Sequence, residues 1–343
     1  MTAKPTIEEN EIVIEEQKKP FKHKKLIIAL SIFLTFVIVF VSAFFTIIKI
    51  GEANLRKKLV SDENINSELD NFDENAVYYN GEAYYYNEDL INILLIGIDE
   101  AQYSDDLAQA DALYLVSIDT KKNNVNVTSI SRNTLAEMDV YDAEGEVYGT
   151  EKKQVCLAYA YGSDDIKSSK NCVKSVSKIL YNIPINGYYT LYLNSLIDIV
   201  DSVGGISVVV PEDSTDPWFA ERIGQTVSLN GEYALRFLQM RGDSNIPRME
   251  RHKSFIKSFI SSAKTAVKKN VTLPFKMADK LSKKSVTNIN VSSMVYLGIE
   301  ALNWQLKFSN IAGENKMVDD YELFLPDEEK LRETVLNNFY IKK

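Results

Sequence analysis

One uncharged, apolar run near the start of the chain, Leu26–Ile48, constrains this sequence more than any other feature. It is longer than the ~20 residues that an α-helix needs to cross the hydrocarbon of a bilayer. A cleaved secretory signal would have a shorter apolar run of about 7–15 residues, followed by small residues. Phe44 and Phe45 stand where those small residues should be. The sequence therefore predicts one retained transmembrane helix.

The flanking basic residues predict the orientation of this helix. The densest basic cluster, KHKK at 22–25, directly precedes the run, and such clusters usually stay in the cytoplasm. Residues 1–25 are polar and mixed in charge, and we expect them to form a disordered cytoplasmic tail. Residues 49–87 are expected to form an extracytoplasmic stalk, and residues 88–343 the main extracytoplasmic domain.

Composition limits the function of that domain. The 343-residue chain is 45% hydrophobic and 25% charged, which is typical of a globular protein. Its net charge of −9 argues against a duplex-DNA binder, which would present a basic face, so no nucleic-acid partner is expected. Two cysteines and two histidines are too few for the usual four-ligand zinc or iron–sulfur sites.

The pattern of apolar residues from Leu90 onward predicts an α/β fold. Short apolar runs bounded by turn residues are typical of strands buried on both faces. Helices are predicted where the apolar period is that of an α-helix, and glycines or capping residues mark their ends. The predicted strands are 91–99, 112–119, 126–131 and 206–211, and the predicted helices are 171–180, 193–203, 230–240 and 248–268.

Two aspartates stand at the ends of predicted strands. Asp99 ends the first strand and Asp111 directly precedes the second. Carboxylates at strand ends of an open α/β sheet can reach the crevice where ligands usually bind. With no cysteine or histidine near them, they suit a hard cation such as Mg²⁺, which retains waters and accepts phosphate oxygens as ligands. The alternative is that both are solvated loop acids.

Several arginines form a candidate anion site. Arg248 and Arg251 are spaced i, i+3 on one face of a predicted helix, and Arg241 lies in the connection before it. Guanidinium groups near a helix N-terminus match phosphate oxygens in geometry and charge. The alternative is a solvated basic face, or pairing of these arginines with Glu250 and other nearby acids. Arg132 follows the third strand, and whether it joins this site depends on strand order.

The two cysteines, Cys156 and Cys172, are expected to form a disulfide. In an oxidising exterior, a pair of cysteines is more often bridged than reactive. Closing the loop between them would stabilise the fold by ~3 kcal/mol on the chain-entropy model.

Seven stretches follow one another behind the predicted membrane anchor: NILLIGID (92–99), ADALYLVSID (110–119), TSISRNT (128–134), LAYAYG (157–162), residues 183–211, LNGEYALRFLQMRG (229–242) and RMERHKSFI (248–256). In this order they resemble the LytR-CpsA-Psr proteins of bacterial envelopes. The resemblance implies a mixed central sheet between helical layers. It also implies an enzyme of the bacterial plasma membrane that transfers a glycopolymer (teichoic acid, capsule or another wall glycan) from a polyprenyl-pyrophosphate carrier to peptidoglycan.

The resemblance also implies roles for individual residues. Mg²⁺ would be held by Asp99 and Asp111, and the pyrophosphate by Arg132, Arg241 and Arg248. Arg251 is a further candidate substrate contact because of its spacing from Arg248, not because of the resemblance. Phosphoryl transfer depends mainly on positioning and charge stabilisation, so Asp111 and the three pyrophosphate arginines are the candidate catalytic residues.

The chain departs from the family pattern at several positions of this site. Gln109 and Gln239 replace usual arginines, and Ala101 replaces another. Asn133 replaces an aspartate, and His252 replaces a glutamine. Amide groups still donate hydrogen bonds to phosphate, with less electrostatic stabilisation than guanidinium. Gln109, Gln239, Asn133 and His252 are therefore candidate substrate contacts, His252 as a hydrogen-bonding group rather than a general acid.

The sequence leaves two other functions open and argues against a third. A non-catalytic binder of polyprenyl pyrophosphates or anionic glycopolymers would explain the missing arginines. A pyrophosphatase that releases the polymer to water would have the same site. A transcriptional regulator is disfavoured, because the chain is acidic and has no recognition-helix pattern.

Overall fold

The computed structural model describes residues 46–54, 76–99, 108–142, 144, 146–240, 245–300, 304–318 and 321–343, together with residues 35 and 42. The predicted tail, nearly all of the predicted membrane run and Arg241 lie outside the described residues. Within the described ranges, no helix has both the length and the apolar character needed to cross a bilayer. The elements below belong to one compact unit, Ile47–Lys343.

Fifteen strands are described in this unit, and six of them form its central sheet. The strands are β1 (Ala76–Tyr79), β2 (Glu82–Tyr86), β3 (Leu90–Ile98), β4 (Ala110–Asp119), β5 (Asn124–Ile130), β6 (Leu135–Tyr141), β7 (Val147–Gln154), β8 (Gly187–Tyr192), β9 (Ile206–Val209), β10 (Thr226–Leu229), β11 (Ser285–Thr287), β12 (Gln305–Asn310), β13 (Gly313–Val318), β14 (Tyr321–Pro326) and β15 (Tyr340–Lys342). The central sheet has the order β11-β8-β3-β4-β5-β12. It is mixed, because β3 pairs antiparallel with β4 and parallel with β8.

Eight helices are described, and four of them, α1, α2, α4 and α5, correspond to the predicted helices with shifted ends. They are α1 (Asp165–Ile179), α2 (Ser195–Ser202), α3 (Pro217–Ala220), α4 (Gly231–Gln239), α5 (Asn245–Lys269), α6 (Leu273–Ser282), α7 (Val291–Glu300) and α8 (Glu328–Phe339). Capping explains some of the boundaries. Asp164 accepts from the Lys167 N–H at the start of α1, and Asn230 caps α4 in the same way through the Tyr233 N–H.

Apolar cores cover both faces of the central sheet. On one face, Leu94 and Leu115 pack with Val176 of α1 and Val335 of α8. On the other face, Ile91 and Val127 belong to a cluster with Tyr296 of α7, against which Ile256 of α5 packs. The inner strands β3, β4 and β5 are mostly buried on both faces for this reason, as their apolar runs predict. The predicted mixed sheet between helical layers is confirmed.

A β-hairpin turns at Asn80-Gly81, inside the segment that was expected to form a stalk. Tyr79 pairs with Glu82 across a two-residue turn, in which Asn80 and Gly81 have φ angles of 50° and 79°. The second strand of the hairpin, β2, also pairs with the C-terminal strand β15. Residues 76–86 are therefore part of the folded domain, which corrects the stalk prediction for this segment.

The helical residues 46–54 also contact the domain. The Ser293 hydroxyl of α7 donates to the carbonyl of Gly51 at 2.8 Å. A side chain at Gly51 would begin 2.4 Å from the Ser292 carbonyl oxygen, so the two helices can approach this closely only because the residue is glycine. Gly51, which falls within the segment 49–87 that was expected to form a stalk, is thus packed on α7.

Candidate active site

Three strand ends place Asp99, Asp111 and Arg132 at one edge of the central sheet. β3 and β5 both pair antiparallel with β4, so the ends of β3 and β5 lie beside the start of β4. Asp99 follows β3, Asp111 is the second residue of β4, and Arg132 follows β5. The strand order thus resolves the question that the sequence left open, and Arg132 belongs to this edge.

The two aspartates are buried next to one another. Both residues are 4% exposed, and the Asp99 N–H donates to Oδ2 of Asp111 at 3.3 Å. Gln239, at the end of α4, donates from Nε2 to Oδ1 of Asp99 at 3.1 Å. The predicted substrate contact Gln239 therefore touches a candidate metal ligand.

Arg132 compensates the charge of Asp111. Its Nη1 donates to Oδ1 of Asp111, and its Nη2 donates to Oε1 of Gln109. Burial raises the pKa of the Asp111 carboxyl, and the positive charges of Arg132 and Arg248 oppose that rise. Arg248, in the first turn of α5, is half-buried. The site thus combines two carboxylates with two guanidinium groups from different elements.

The donor set fits a hard divalent cation. Among the described residues, no group of three or more histidine, cysteine, aspartate or glutamate side chains could hold a metal ion. Two adjacent carboxylates nevertheless match Mg²⁺, which commonly takes one or two protein carboxylates and completes its shell with water and phosphate oxygens. Asp99 and Asp111 are the residues that would hold it.

Arg251 lies inside the protein rather than in the site. Arg251 is 2% exposed, and its guanidinium donates to Oδ2 of Asp213 and to the carbonyl of Met240. Burial lowers its pKa, and Asp213 opposes that shift. Because Met240 directly follows the last residue of α4, Arg251 joins the end of α4 to α5. Arg251 was predicted to contact the substrate, and the structure instead places it in an internal ion pair with Asp213.

His252 is also internal. Its Nε2 faces the carbonyl of Leu238 at 3.3 Å, and its Nδ1 lies 2.9 Å from the hydroxyl of Tyr114 on β4. A carbonyl only accepts, so Nε2 carries the proton and Nδ1 accepts from Tyr114. Burial and the charge of Arg248 lower the pKa of His252 to about 3. His252 is a neutral link between α5 and the sheet, and this corrects its prediction as a substrate contact.

Asn133 points away from the two carboxylates. Its Nδ2 donates to Oε2 of Glu322 at 2.9 Å, and its Oδ1 accepts from Gln154 at 3.3 Å. Its carbonyl accepts from the N–H of Phe324 on β14. Asn133 thus joins the turn after β5 to β14. These hydrogen bonds are all internal, which corrects its prediction as a substrate contact.

The two cysteines are free thiols, which corrects the predicted disulfide. Cys156 lies in the 3-10 turn Val155–Ala158 and faces the site. Its Sγ is 3.7 Å from both Oε1 of Gln109 and Nη2 of Arg132. Burial raises the pKa of each thiol. The thiol of Cys156 therefore packs beside Arg132. The sequence did not indicate this position, apart from the LAYAYG stretch that directly follows Cys156.

Fold and site together define a class: an α/β domain with a mixed sheet whose edge carries a buried acidic pair clamped by arginine. The family model described as the LytR_cpsA_psr family matches residues 44–338. The chain belongs to the LytR_cpsA_psr family.

Two curated relatives carry names that describe an activity. The polyisoprenyl-teichoic acid–peptidoglycan teichoic acid transferase TagV of Bacillus subtilis (strain 168) is 29% identical over 211 residues, which are 59% of this chain and 50% of TagV. The transferase TagU of Bacillus cereus (strain AH820), which has the same descriptive name, is 32% identical over 151 residues, 44% of each protein. The chain thus matches about half the length of these relatives.

Solved structures share the fold. The crystal structure of B. subtilis TagV superposes with a TM-score of 0.59 at 26% identity, covering 73% of this chain and 97% of that one. A structure described as TagT bound to LI-WTA has a TM-score of 0.56 at 21% identity, covering 73% and 91%. The second likeness supports the fold alone.

Proposed function

We propose that this protein is a membrane-anchored phosphotransferase that moves a glycopolymer from a polyprenyl-pyrophosphate carrier to peptidoglycan. The observation that carries the proposal is the meeting of Asp99, Asp111 and Arg132 at one sheet edge. A buried acidic pair beside guanidinium groups suits a metal-bound pyrophosphate. The names of TagV and TagU, which state such a transfer for those proteins, support the proposal.

The residues have distinct roles in the proposed reaction. A hydroxyl oxygen of the acceptor attacks the phosphorus that is attached to the glycopolymer, and a new phosphodiester bond forms. The bond to the bridging oxygen breaks, its electron pair leaves with polyprenyl phosphate, and the hydroxyl proton passes to water. Arg132 and Arg248 would stabilise the charge that develops on the phosphoryl oxygens, and Arg241 would join them as the family resemblance implies.

Asp99 and Asp111 would hold Mg²⁺ in this site. The ion, when bound, neutralises charge on the phosphate oxygens and orients the leaving group. Arg132 would keep Asp111 in place while it also faces the substrate. Gln239 would orient Asp99 through its 3.1 Å hydrogen bond, and this supporting role replaces the direct phosphate contact expected of an arginine at that position.

The proposed location follows from the sequence. Leu26–Ile48 would anchor the chain in the plasma membrane of a bacterium, with the N-terminus in the cytoplasm and the domain outside. The polyprenyl chain of the carrier lies in the same membrane, and the peptidoglycan acceptor lies on the same side as the domain. The anchor would therefore keep the domain within reach of both substrates.

A binder of the same lipids is the second candidate, and one observation favours it. The two glutamines that replace arginines are engaged within the site, Gln109 by Arg132 and Gln239 by Asp99. The site therefore has fewer cations available for phosphate than the family pattern implies.

Product analysis on the full chain in detergent separates these functions. The protein is given a labelled polyprenyl-pyrophosphate glycan, with and without Mg²⁺ and with and without peptidoglycan strands. A transferase attaches label to the strands in a Mg²⁺-dependent reaction. A pyrophosphatase releases polyprenyl phosphate equally well without the strands, and a binder retains the donor unchanged. Either of the last two results would overturn the proposed function.

A further inference from the structure

Two neighbouring side chains hold the guanidinium of Arg132 at separate nitrogens. Nη1 donates to Oδ1 of Asp111, and Nη2 donates to Oε1 of Gln109. Gln109 directly precedes β4 and Asp111 is the second residue of that strand, so side chains two positions apart reach the same group. Because a guanidinium is planar and rigid, two bonds at separate nitrogens fix its orientation as well as its position.

The two acceptors differ in what else they bind. Asp111 also accepts the N–H of Asp99 at Oδ2 and would hold Mg²⁺ in the proposed function, so its carboxylate is shared among several groups. Gln109 is uncharged, and its Oε1 faces Arg132 and the thiol of Cys156. Gln109 can therefore keep Arg132 in place while Asp111 is engaged elsewhere.

The thiol of Cys156 closes this arrangement from the protein interior. Cys156 is fully buried, and its Sγ lies 3.7 Å from Oε1 of Gln109 and 3.7 Å from Nη2 of Arg132. A thiol is a weak donor and a weak acceptor, so it can contact both groups. A guanidinium only donates, which requires the oxygen of the Gln109 amide to face Arg132. The contact therefore depends on an acceptor at position 109.

An arginine at position 109, as in the family pattern, would act in the opposite way. It could not accept a hydrogen bond, and it would place a second positive charge against the guanidinium of Arg132. The glutamine therefore removes one cation from the site but orients Arg132. The side chain of Arg132 is 19% exposed, so the oriented guanidinium still presents a surface to a ligand.

We propose that Gln109 is a positioning residue that acts on the reaction through Arg132. Its amide oxygen holds the guanidinium in the orientation that meets the phosphoryl oxygens, and Gln109 does not itself bind the donor. The inference rests on the proposed function for the role of Arg132 in phosphoryl transfer. The hold on the guanidinium is testable without any turnover.

Two measurements on the full chain in detergent test this assignment. The first is the rate at which phenylglyoxal, a reagent for accessible guanidinium groups, modifies Arg132, with peptide mass spectrometry to locate the label. The second is the kcat and KM for a labelled polyprenyl-pyrophosphate glycan with Mg²⁺ and peptidoglycan strands. The key variant is Gln109→Leu, which removes the acceptor. Gln154→Leu is the matched control, because Gln154 is a half-buried glutamine that bonds to Asn133 and Glu322.

Gln109→Leu should raise the modification rate of Arg132 severalfold. It should also lower kcat about tenfold with little change in KM, since an oriented guanidinium matters most in the transition state. Gln154→Leu should change neither quantity, and Gln109→Glu, which retains an acceptor, should keep the slow modification of Arg132. In an Arg132→Ala background, Gln109→Leu should cause no further loss of kcat, because the two residues act as a unit. Gln109→Ala replaces the leucine variant if that variant does not fold.

Two results would overturn the positioning role. One is an unchanged modification rate of Arg132 in Gln109→Leu. The other is a tenfold loss of kcat with Arg132 present and again with Arg132→Ala, since Gln109 would then act on the substrate itself. A wild type that transfers no glycopolymer overturns the proposed function, and the modification rates alone then decide whether Gln109 holds Arg132.

Discussion

Arg132 donates from Nη1 to Oδ1 of Asp111, a residue that lies 21 positions earlier in the chain. The two meet because β4 and β5 form an antiparallel hairpin, which brings the end of β5 back beside the start of β4. The Asp111 side chain is fully buried and that of Arg132 is 19% exposed. The guanidinium therefore compensates a buried carboxylate on one side and remains accessible to a phosphate on the other.

Gln239→Arg is expected to strengthen donor binding. The new guanidinium would stand beside Asp99, where Gln239 now donates a neutral hydrogen bond. Charge-assisted hydrogen bonds contribute roughly 1 kcal/mol more than neutral ones, so donor affinity should rise about fivefold. Titration of a short polyprenyl-pyrophosphate sugar measures it, with Gln239→Ala as the control that removes the hydrogen bond. Weaker binding by the arginine variant would contradict this arrangement of the site.

Stability should fall between pH 7 and pH 5 because of His252. Its pKa is about 3 in the folded protein and about 6.5 in the unfolded chain. Between those values the unfolded state binds the extra proton, so the free energy of unfolding decreases as the pH falls, by about 2 kcal/mol from this group at pH 5. Urea unfolding of residues 47–343 at both pH values measures the change.

His252→Gln is the matched variant for that experiment. Glutamine can hydrogen-bond but does not titrate, so the stability of the variant should depend less on pH in this interval. The same pH dependence in both proteins would show that His252 is not buried in its neutral form.

The Arg251–Asp213 pair is expected to contribute to stability rather than to substrate binding. Asp213→Ala would leave the buried guanidinium of Arg251 uncompensated, at a cost of about 2–3 kcal/mol, because Asp213 itself is partly exposed. Arg236→Gln breaks an exposed pair with Asp216 and should change stability little. Unfolding midpoints measure both variants. If Asp213→Ala lost donor affinity without losing stability, Arg251 would have to be interpreted as a substrate contact after all.

Both cysteines should be alkylated in full after denaturation without a reducing agent. The structure has Cys156 and Cys172 as free, buried thiols, so intact mass spectrometry should find two alkyl groups under denaturing conditions. In the folded protein the reaction should be slow, because neither thiol is exposed and burial raises the pKa of each. A single species without alkyl groups would instead demonstrate the disulfide.

The sequence predicted four of the described strands and four of the described helices, those whose apolar patterns are strong and local, but none of the elements that follow α5. The strand around Ile91–Ile98 and the helix before Gly204 could be read directly, and capping residues marked helix starts. Strand order could not be read, since it depends on pairing between distant segments. The position of Arg132 beside Asp111 was therefore visible only in the structure.

The site was predicted less completely for a related reason. Arg251 and His252 stand in a helix with no pattern that shows which polar residues point inward, and both turned out to be buried. Asn133 could not be assigned without β14, which lies almost two hundred residues further along the chain. The spacing of Cys156 and Cys172 gave a loop length but not the directions of the two sulfurs.

Mg²⁺-dependent release of polyprenyl phosphate from a labelled carrier-linked glycan, with peptidoglycan strands present, tests the central claim most directly. Asp111→Ala and Arg132→Ala should each lower turnover by about 100-fold or more, since each removes charge stabilisation at the phosphoryl group. Arg236→Gln should retain wild-type turnover, because the exposed guanidinium of Arg236 pairs with Asp216 rather than with the acidic pair. Activity that survives in both alanine variants would contradict the assignment of this sheet edge as the active site.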